Sequence, residues 1–461
     1  MSHFRRRPFF SSVLLVGLLI VAPWRASAQE WKACVDLSFL NELEAHGATY
    51  FKNGEAGTAM RLLKNEGINM VRLRLWHTPE GGRDGLGDVL LAAKRVNLHG
   101  LDLLLDIHYS DFWADPGKQN KPAAWADLNF TALRDSVRTY TRSVVQALVN
   151  QGTTPSIVQI GNETTNGFLW DHGRVGGAFE SPSQWSRYAT LTNAAIAGVR
   201  DAAGNEPQIM IHIDSGGNAS TSSWFFDNLF SFQVPIDIIG LSFYSFWHGS
   251  LSEMENTLSV VAERYGIPIM LAEVAYPWTL SGFDTESNFV WQESQLHEGF
   301  PASPSGQKDF LDAVVEIVGA IPSSLGHGVC YWAPDWIGLP GYTSVWENMA
   351  LFDEHGEILP ASSSLNPQIG VAVDSEVHTD QKTYSYPNPV SPTSPLTIEH
   401  DLTPPVEISV SNVLGQRIIS EWSTELFNLV LSTSKLNRGV YYYSIVSNTN
   451  GKRVFGSIVV R

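Results

Sequence analysis

Two glutamates stand where a carboxylate can do chemistry. Glu163 closes the run Gln159-Ile160-Gly161-Asn162-Glu163, and Glu273 closes Met270-Leu271-Ala272-Glu273. Cleaving a glycosidic bond needs one carboxylic acid to protonate the leaving oxygen. It needs a second carboxylate to attack carbon, or to activate water, on the other face. Burial and mutual repulsion can split two carboxyl pKa values around working pH, as that division of labour requires. A lone Glu at the end of an apolar run is more often a salt-bridge partner, so the pair counts for more than either member. Arg72 and Arg74 lie two apart in one run and therefore share a face. One of them could orient Glu273, the other reading being an ordinary ion pair. His108 could tune a catalytic carboxylate or be a hydrogen-bonded core histidine.

The elements that must position these residues repeat along the chain. Apolar and β-branched runs occupy Ala33–Leu37, Asn69–Trp76, Leu101–Tyr109, Ser156–Glu163, Gln208–Asp214, Ile236–Tyr244, Pro268–Tyr276 and Gly328–Trp336. They are apolar on both faces, which suits parallel strands covered by helices. Helical patterns separate them, among others at Ala59–Asn65, Leu90–His99, Leu133–Asn150, Trp185–Ala203, Ser252–Tyr265 and Gln307–Ile317. Such alternation predicts an α/β fold, a (β/α)8 TIM barrel. An open doubly wound sheet fits less well, because no glycine-rich phosphate loop follows the first strand. Each run starts apolar and ends polar or aromatic, and barrel active sites sit at the carboxyl ends of the strands. Strands four and seven face each other across such a barrel, so Glu163 and Glu273 can meet in one cleft.

Asn-Glu on strand four with a second Glu on strand seven resembles the retaining glycoside hydrolases of clan A. That resemblance implies Glu163 as general acid/base, Glu273 as nucleophile, Asn162 on the sugar 2-hydroxyl, and carboxyl groups ~5–5.5 Å apart. It also implies that Tyr244 holds the nucleophile through its hydroxyl. Within the clan, residues 31–360 are similar to glycoside hydrolase family 53, the endo-β-1,4-galactanases. The matching segments are Asp36–Leu40, Arg72–Trp76, the long His108-Tyr109-Ser110-Asp111-Phe112-Trp113-Ala114-Asp115-Pro116-Gly117-Lys118-Gln119, Gln159–Glu163 with Asn166-Gly167, and Leu241–Tyr244. Ala272-Glu273 with Tyr276-Pro277-Trp278, and Tyr331-Trp332 with Asp335-Trp336, complete them. The resemblance implies internal cleavage of pectic β-1,4-galactan (type I arabinogalactan). Alternatives are another clan A endo-glycanase acting on mannan or β-glucan, and a non-catalytic glycan-binding barrel. Indoles offer flat faces to pyranose rings; Trp76, Trp113, Trp247, Trp278, Trp332 and Trp336 are candidates, with Asp111 as a supporting residue in the long segment. Some bacterial members of the family hold calcium in the loop after strand seven. Here that loop, Thr279–Pro304 with Asp284, Glu286, Asn288, Glu293 and His297, departs from the pattern, and its spacing specifies no six-to-eight-oxygen site. No zinc spacing occurs, so no metal or cofactor is expected to be required.

The ends read differently. Arg5-Arg6-Arg7, the apolar run Val13–Ala22 and Ala26-Ser27-Ala28 make residues 1–28 a signal peptide, its ten apolar residues too few to span a bilayer. Residues 29–365 are the barrel and 366–383 a linker. From 384 to 461, short strands at Leu396–Glu399, Val406–Val413, Gln416–Ile419, Val440–Val446 and Arg453–Val460 suggest a small β-sandwich. This tail resembles the type A sorting domain of the type IX secretion system in Tyr386-Pro387-Asn388-Pro389, Asn412–Gln416, Leu436 with Gly439–Tyr442, and Val459–Arg461. The resemblance implies secretion machinery as a partner, and a secreted or cell-surface location. Residues 1–28 carry four Arg and no acid, and 386–461 carry six bases against five acids. The formal −17 of the whole therefore leaves −22 on residues 29–385. Such a surface repels nucleic acid and polygalacturonate and suits a neutral glycan. Cys34 and Cys330 fall on strands one and eight, neighbours in a closed barrel; two buried thiols are expected there, since bridges between adjacent parallel strands are awkward.

Overall fold

Side chains two apart on a strand point the same way, and that period builds the interior of the barrel. The computed structural model describes residues 30–367 and, of 384–461, all but 387–389, 393–394, 401, 403, 413–415, 425–427 and 450–451. The expected signal peptide, the linker beyond residue 367, and parts of the Tyr386–Pro389 and Asn412–Gln416 motifs lie outside the described residues. Eight parallel strands close in sequence order: β1 Lys32–Asp36, β2 Met70–Leu75, β3 Asp102–Ile107, β4 Ile157–Ile160, β5 Gln208–Ile213, β6 Ile238–Phe243, β7 Ile269–Val274 and β8 Gly326–Trp332. Cys34, Met70, Leu104, Ile157, Met210, Ile238, Met270, Ala272 and Cys330 form one buried apolar layer, the floor of the barrel. Two residues further along most strands come the groups with chemistry: Asp36, Arg72, Asp106, Gln159, His212 and Trp332.

Strand β7 breaks this parity. Its register against β6 shifts so that Leu241 pairs with Leu271 but Ser242 pairs with Glu273. Ala272 is the extra residue of a bulge, and such bulges re-aim side chains next to active sites. Glu273 thereby joins the inward-facing groups.

Helices α1 Ala59–Asn65, α2 Leu86–Leu98, α3 Phe130–Asn150, α4 Pro182–Ala203, α5 Ala219–Ser231, α6 Leu251–Tyr265 and α7 Pro304–Gly319 connect the strands. Several begin two to four residues before the apolar pattern does, because capping fixes their starts. Asn129 accepts from Ala132 N–H, Ser181 from Gln184 N–H ahead of Pro182, and Ser303 from Gly306 N–H ahead of Pro304. The strands end one to four residues earlier than the apolar runs suggested, so Trp76, His108, Asn162, Glu163, Asp214 and Tyr244 sit in the turns just beyond.

In the tail, β9 Tyr384–Tyr386, β10 Pro395–Glu399, β11 Val406–Asn412, β12 Arg417–Ser423, β13 Asn428–Ser432, β14 Gly439–Ser447 and β15 Arg453–Val460 form two antiparallel sheets, ordered β9-β10-β13 and β12-β11-β14-β15. Leu396, Ile398, Leu429 and Leu431 of the first sheet share a core with Val406, Ile408, Tyr443, Ile445 and Ile458 of the second. Cys34 and Cys330 are free, buried, in direct register, with Sγ atoms 2.8 Å apart. Among the described residues no helix is long and apolar enough to cross a membrane.

Candidate active site

Glu163 and Glu273 line one cleft of about 540 Å³ at the carboxyl ends of the strands, together with Asn162, Asp214, Tyr244, Trp113, Trp332 and Trp346. The centre of the charge network is Arg72. Its guanidinium reaches Asp36 at 2.9 Å, Asp106 at 2.8 Å, Glu273 Oε1 at 2.9 Å and Asn162 Oδ1 at 2.8 Å. Gln159 Oε1 accepts from its Nε at 3.2 Å. A buried cation without partners would be prohibitive; three carboxylates hold this one charged and push its pKa further up. Burial would raise Asp106, but Arg72 and His108 outweigh it and hold that carboxyl below its ordinary range.

The two glutamates are treated differently. Glu273 Oε2 accepts the Tyr244 hydroxyl at 2.9 Å while Oε1 faces Arg72. Burial pushes Glu273 up to about 7, with Arg72 and Tyr244 pulling the other way. Glu163 follows β4 in the left-handed conformation, φ 46° and ψ 52°. Its Oε1 accepts only a neutral donor, the Ser242 hydroxyl at 2.6 Å. Burial and the neighbouring Glu273 and Asp214 charges raise its pKa well above the usual carboxylate range. One carboxyl is thus held by a cation and a phenol, and the other is left to keep its proton. A pair of carboxyls in such different settings is what general acid and nucleophilic chemistry require.

Aromatic rings form a row along the cleft. Ring centroids lie 6.1 Å apart for Trp113 and Trp332, 4.6 Å for Trp332 and Trp346, 5.9 Å for Trp346 and Phe289, and 5.6 Å for Phe289 and Trp247.

Residues 33–365 match the sequence profile described as Glycosyl hydrolase family 53. The chain belongs to glycosyl hydrolase family 53. Residues 384–461 match the profile described as Secretion system C-terminal sorting domain. An uncharacterised protein of Niallia circulans is 43% identical over 338 residues, covering 72% of this chain and 92% of its own length. The arabinogalactan endo-β-1,4-galactanase of Cellvibrio japonicus is 37% identical over 329 residues, covering 69% of this chain and 85% of its own. The solved family 53 catalytic domain of Ignisphaera aggregans superimposes with a TM-score of 0.68 at 32% identity, covering 75% of this chain and 97% of that one.

Within this family 53 barrel the other expected site residues separate. Asn162, Trp113, Trp332 and Trp336 line the cleft, and so does the half-exposed Trp247. Arg74 does not reach Glu273: it pairs with Asp84 at 3.0 Å, and its guanidinium lies 4.0 Å from the Trp113 ring centroid, beneath the platform. His108 acts at one remove, its Nε2 2.9 Å from Asp106 Oδ2 while Nδ1 accepts from the Trp76 indole and the Ala114 amide. Trp76 is therefore core. Asp111 is outside the cleft; its carboxylate accepts from the backbone N–H of Thr78 and Ala123 and ties two loops together. Trp278 is also outside, stacked on Phe283 and bonded to the Glu347 carbonyl. Sequence reasoning missed Trp346, Phe289 and His248 as cleft residues, and Ser242 as a partner of Glu163. Trp346 and Phe289 stand in aperiodic loops, where no pattern marks orientation; Ser242 carried one signal, its place two residues before Tyr244.

In and beside residues 279–304, Asn288 Oδ1 and Glu347 Oε2 are buried without a hydrogen-bond partner among the described residues, and Glu347 lies near Asp284 and Asn288. Asp284 spends its carboxylate on the N–H groups of Glu286 and Ser344, and His297 Nε2 accepts from Leu251 N–H. Among the described residues no three His, Cys, Asp or Glu side chains converge as metal ligands.

Proposed function

We propose that this chain is a secreted retaining endo-β-1,4-galactanase acting on pectic galactan by double displacement. The observation that carries the mechanism is the unequal setting of the two glutamates. Glu273, between Arg72 and Tyr244, attacks the anomeric carbon as Glu163 gives its proton to the leaving glycosidic oxygen. A covalent glycosyl–enzyme forms on Glu273 and the C1–O bond breaks. Glu163, now a carboxylate, takes a proton from water, which displaces Glu273 and restores the starting state. Asn162, held by Arg72 and the Ala114 carbonyl, presents its amide to the sugar 2-hydroxyl. The partly open rings of Trp113, Trp332, Phe289 and Trp247 offer surface to several successive sugars, which suits attack within a chain. The galactan specificity rests on relatives such as the arabinogalactan endo-β-1,4-galactanase of Cellvibrio japonicus. Export rests on the sorting-domain match.

The test is reducing-end release from debranched β-1,4-galactan, with β-mannan and a soluble β-glucan at equal concentration, while proton NMR follows the first-formed anomer. Galactan alone is cleaved, the product appears first as the β-anomer, and Glu163→Gln or Glu273→Gln lowers kcat by roughly 10³-fold. Cleavage of another glycan instead sinks the substrate, and a first-formed α-anomer sinks the mechanism.

A further inference from the structure

We propose that Ser242 and His212 are a positioning pair that fixes the catalytic proton of Glu163 on Oε2. The inference rests on the acid/base reading above and goes one step past it, to which oxygen holds the proton and why.

A serine hydroxyl can point its single hydrogen at either of two neighbours. Ser242 Oγ lies 2.6 Å from Glu163 Oε1 and 2.8 Å from His212 Nε2, and both Ser242 and His212 are fully buried. The imidazole tautomer decides between them, and the tautomer is set from the far side. Arg72 can only donate, so its Nε–H fixes Oε1 of Gln159 as the acceptor. The Gln159 Nε2 amide hydrogens then face Asp106 Oδ1 at 2.7 Å, the Gly161 carbonyl at 3.0 Å, His212 Nδ1 at 3.1 Å and Asn162 Oδ1 at 3.2 Å. The Glu163 backbone N–H also points at Nδ1, at 3.4 Å. With two donors aimed at Nδ1, the imidazole proton sits on Nε2 and is donated to Ser242. Asn162 Oδ1, 3.0 Å from Nδ1, takes its hydrogen bond from Arg72 instead.

The hydroxyl hydrogen of Ser242 therefore has one place to go, Glu163 Oε1. An oxygen that accepts from a locked donor is a poor place for a proton, so the acid form carries it on Oε2. The chain has one direction: Arg72 to Gln159 to His212 to Ser242 to Glu163. Its source is the guanidinium that also holds Glu273, so one cation orders both carboxylates. Burial and Arg72 keep His212 neutral, which preserves the tautomer. The charged and titratable groups facing Glu163 are Glu273 on β7, Asp214 after β5 and Arg72 on β2. Those facing His212 are Arg72, Asp106, His108 and His248.

The experiment compares the wild type with Ser242→Ala, Ser242→Thr and His212→Gln on two substrates. One is galactan, whose sugar leaving group needs a proton. The other is a dinitrophenyl β-1,4-galactobioside, whose phenolate leaves without one. In Ser242→Ala, kcat/KM on galactan falls about 30-fold or more while the activated substrate falls about threefold or less. The basic limb of its galactan profile moves to higher pH, because a donor to the carboxylate is gone. Ser242→Thr keeps the hydroxyl and recovers most of the loss, and His212→Gln, which keeps an N–H near the Nε2 position, loses less than Ser242→Ala. Equal losses on both substrates, or none on either, overturn the proposal. A wild type that cleaves neither substrate fails the galactanase reading itself, a different result.

Discussion

At the scale of single residues, Tyr244 and Arg72 approach Glu273 from two sides and both favour its charged form. Removing the hydroxyl while keeping the ring should raise the pKa of Glu273, the proposed nucleophile. The acidic limb of kcat/KM reports ionisation of that nucleophile, so in Tyr244→Phe it moves to higher pH, by about one unit for one lost charge-assisted hydrogen bond. A pH profile on galactan checks this, and an unmoved limb would mean that Arg72 alone sets the nucleophile. Arg74 teaches the complementary lesson. It shares a face with Arg72 but stands two residues further along β2, and that step puts it under Trp113 instead of beside Glu273.

At the scale of elements, the turn after β4 delivers Glu163, and Gly161 shapes that turn. Gly161 has φ +78°, and a Cβ there would stand 2.4 Å from Thr164 Cγ2. Gly161→Ala therefore strains the backbone by about 1–2 kcal/mol and displaces the loop that holds Glu163. Gly204, at the C-terminal end of α4, has φ +62° but nothing within 4 Å of its Cβ position. Gly204→Ala bears a similar backbone cost with the cleft untouched. Thermal melts should show both variants destabilised, whereas galactan hydrolysis falls roughly tenfold or more only in Gly161→Ala. The bulge in β7 is an element-scale device of the same kind, since in a regularly pleated strand that kept Ala272 as an ordinary residue Glu273 would share the outward face of Leu271.

At the scale of the whole molecule, stability is coupled to the charge buried around the barrel mouth. Asp335 is fully buried, and neither carboxyl oxygen has a hydrogen-bond partner among the described residues. Burial raises its folded-state pKa well above the ordinary value. A carboxyl raised in this way contributes stability fully below its unfolded pKa of about 3.9, and loses it as pH rises through the folded value. Asp335→Asn removes that dependence. Between pH 5 and pH 8 the variant's Tm should therefore improve steadily relative to wild type, and a constant difference across that range would show Asp335 ionised throughout in the folded state. The same sign applies to Glu163, so the proposed acid destabilises the barrel at alkaline pH.

The sequence by itself determined the eightfold alternation of strand and helix, the two glutamates at the carboxyl ends of β4 and β7, and which residues of one strand share a face. Those properties follow from the rise and period of a single chain segment, so they are written locally. Tertiary structure alone decided that Arg72, not Arg74, meets Glu273, that Asp111 and Trp278 stand outside the cleft, and that Trp346 and Phe289 stand inside it. It also decided the hydrogen bond from Ser242 to Glu163, which joins residues 79 positions apart. Contacts of that range exist only once the barrel has closed, and nothing in the local period of either segment records them.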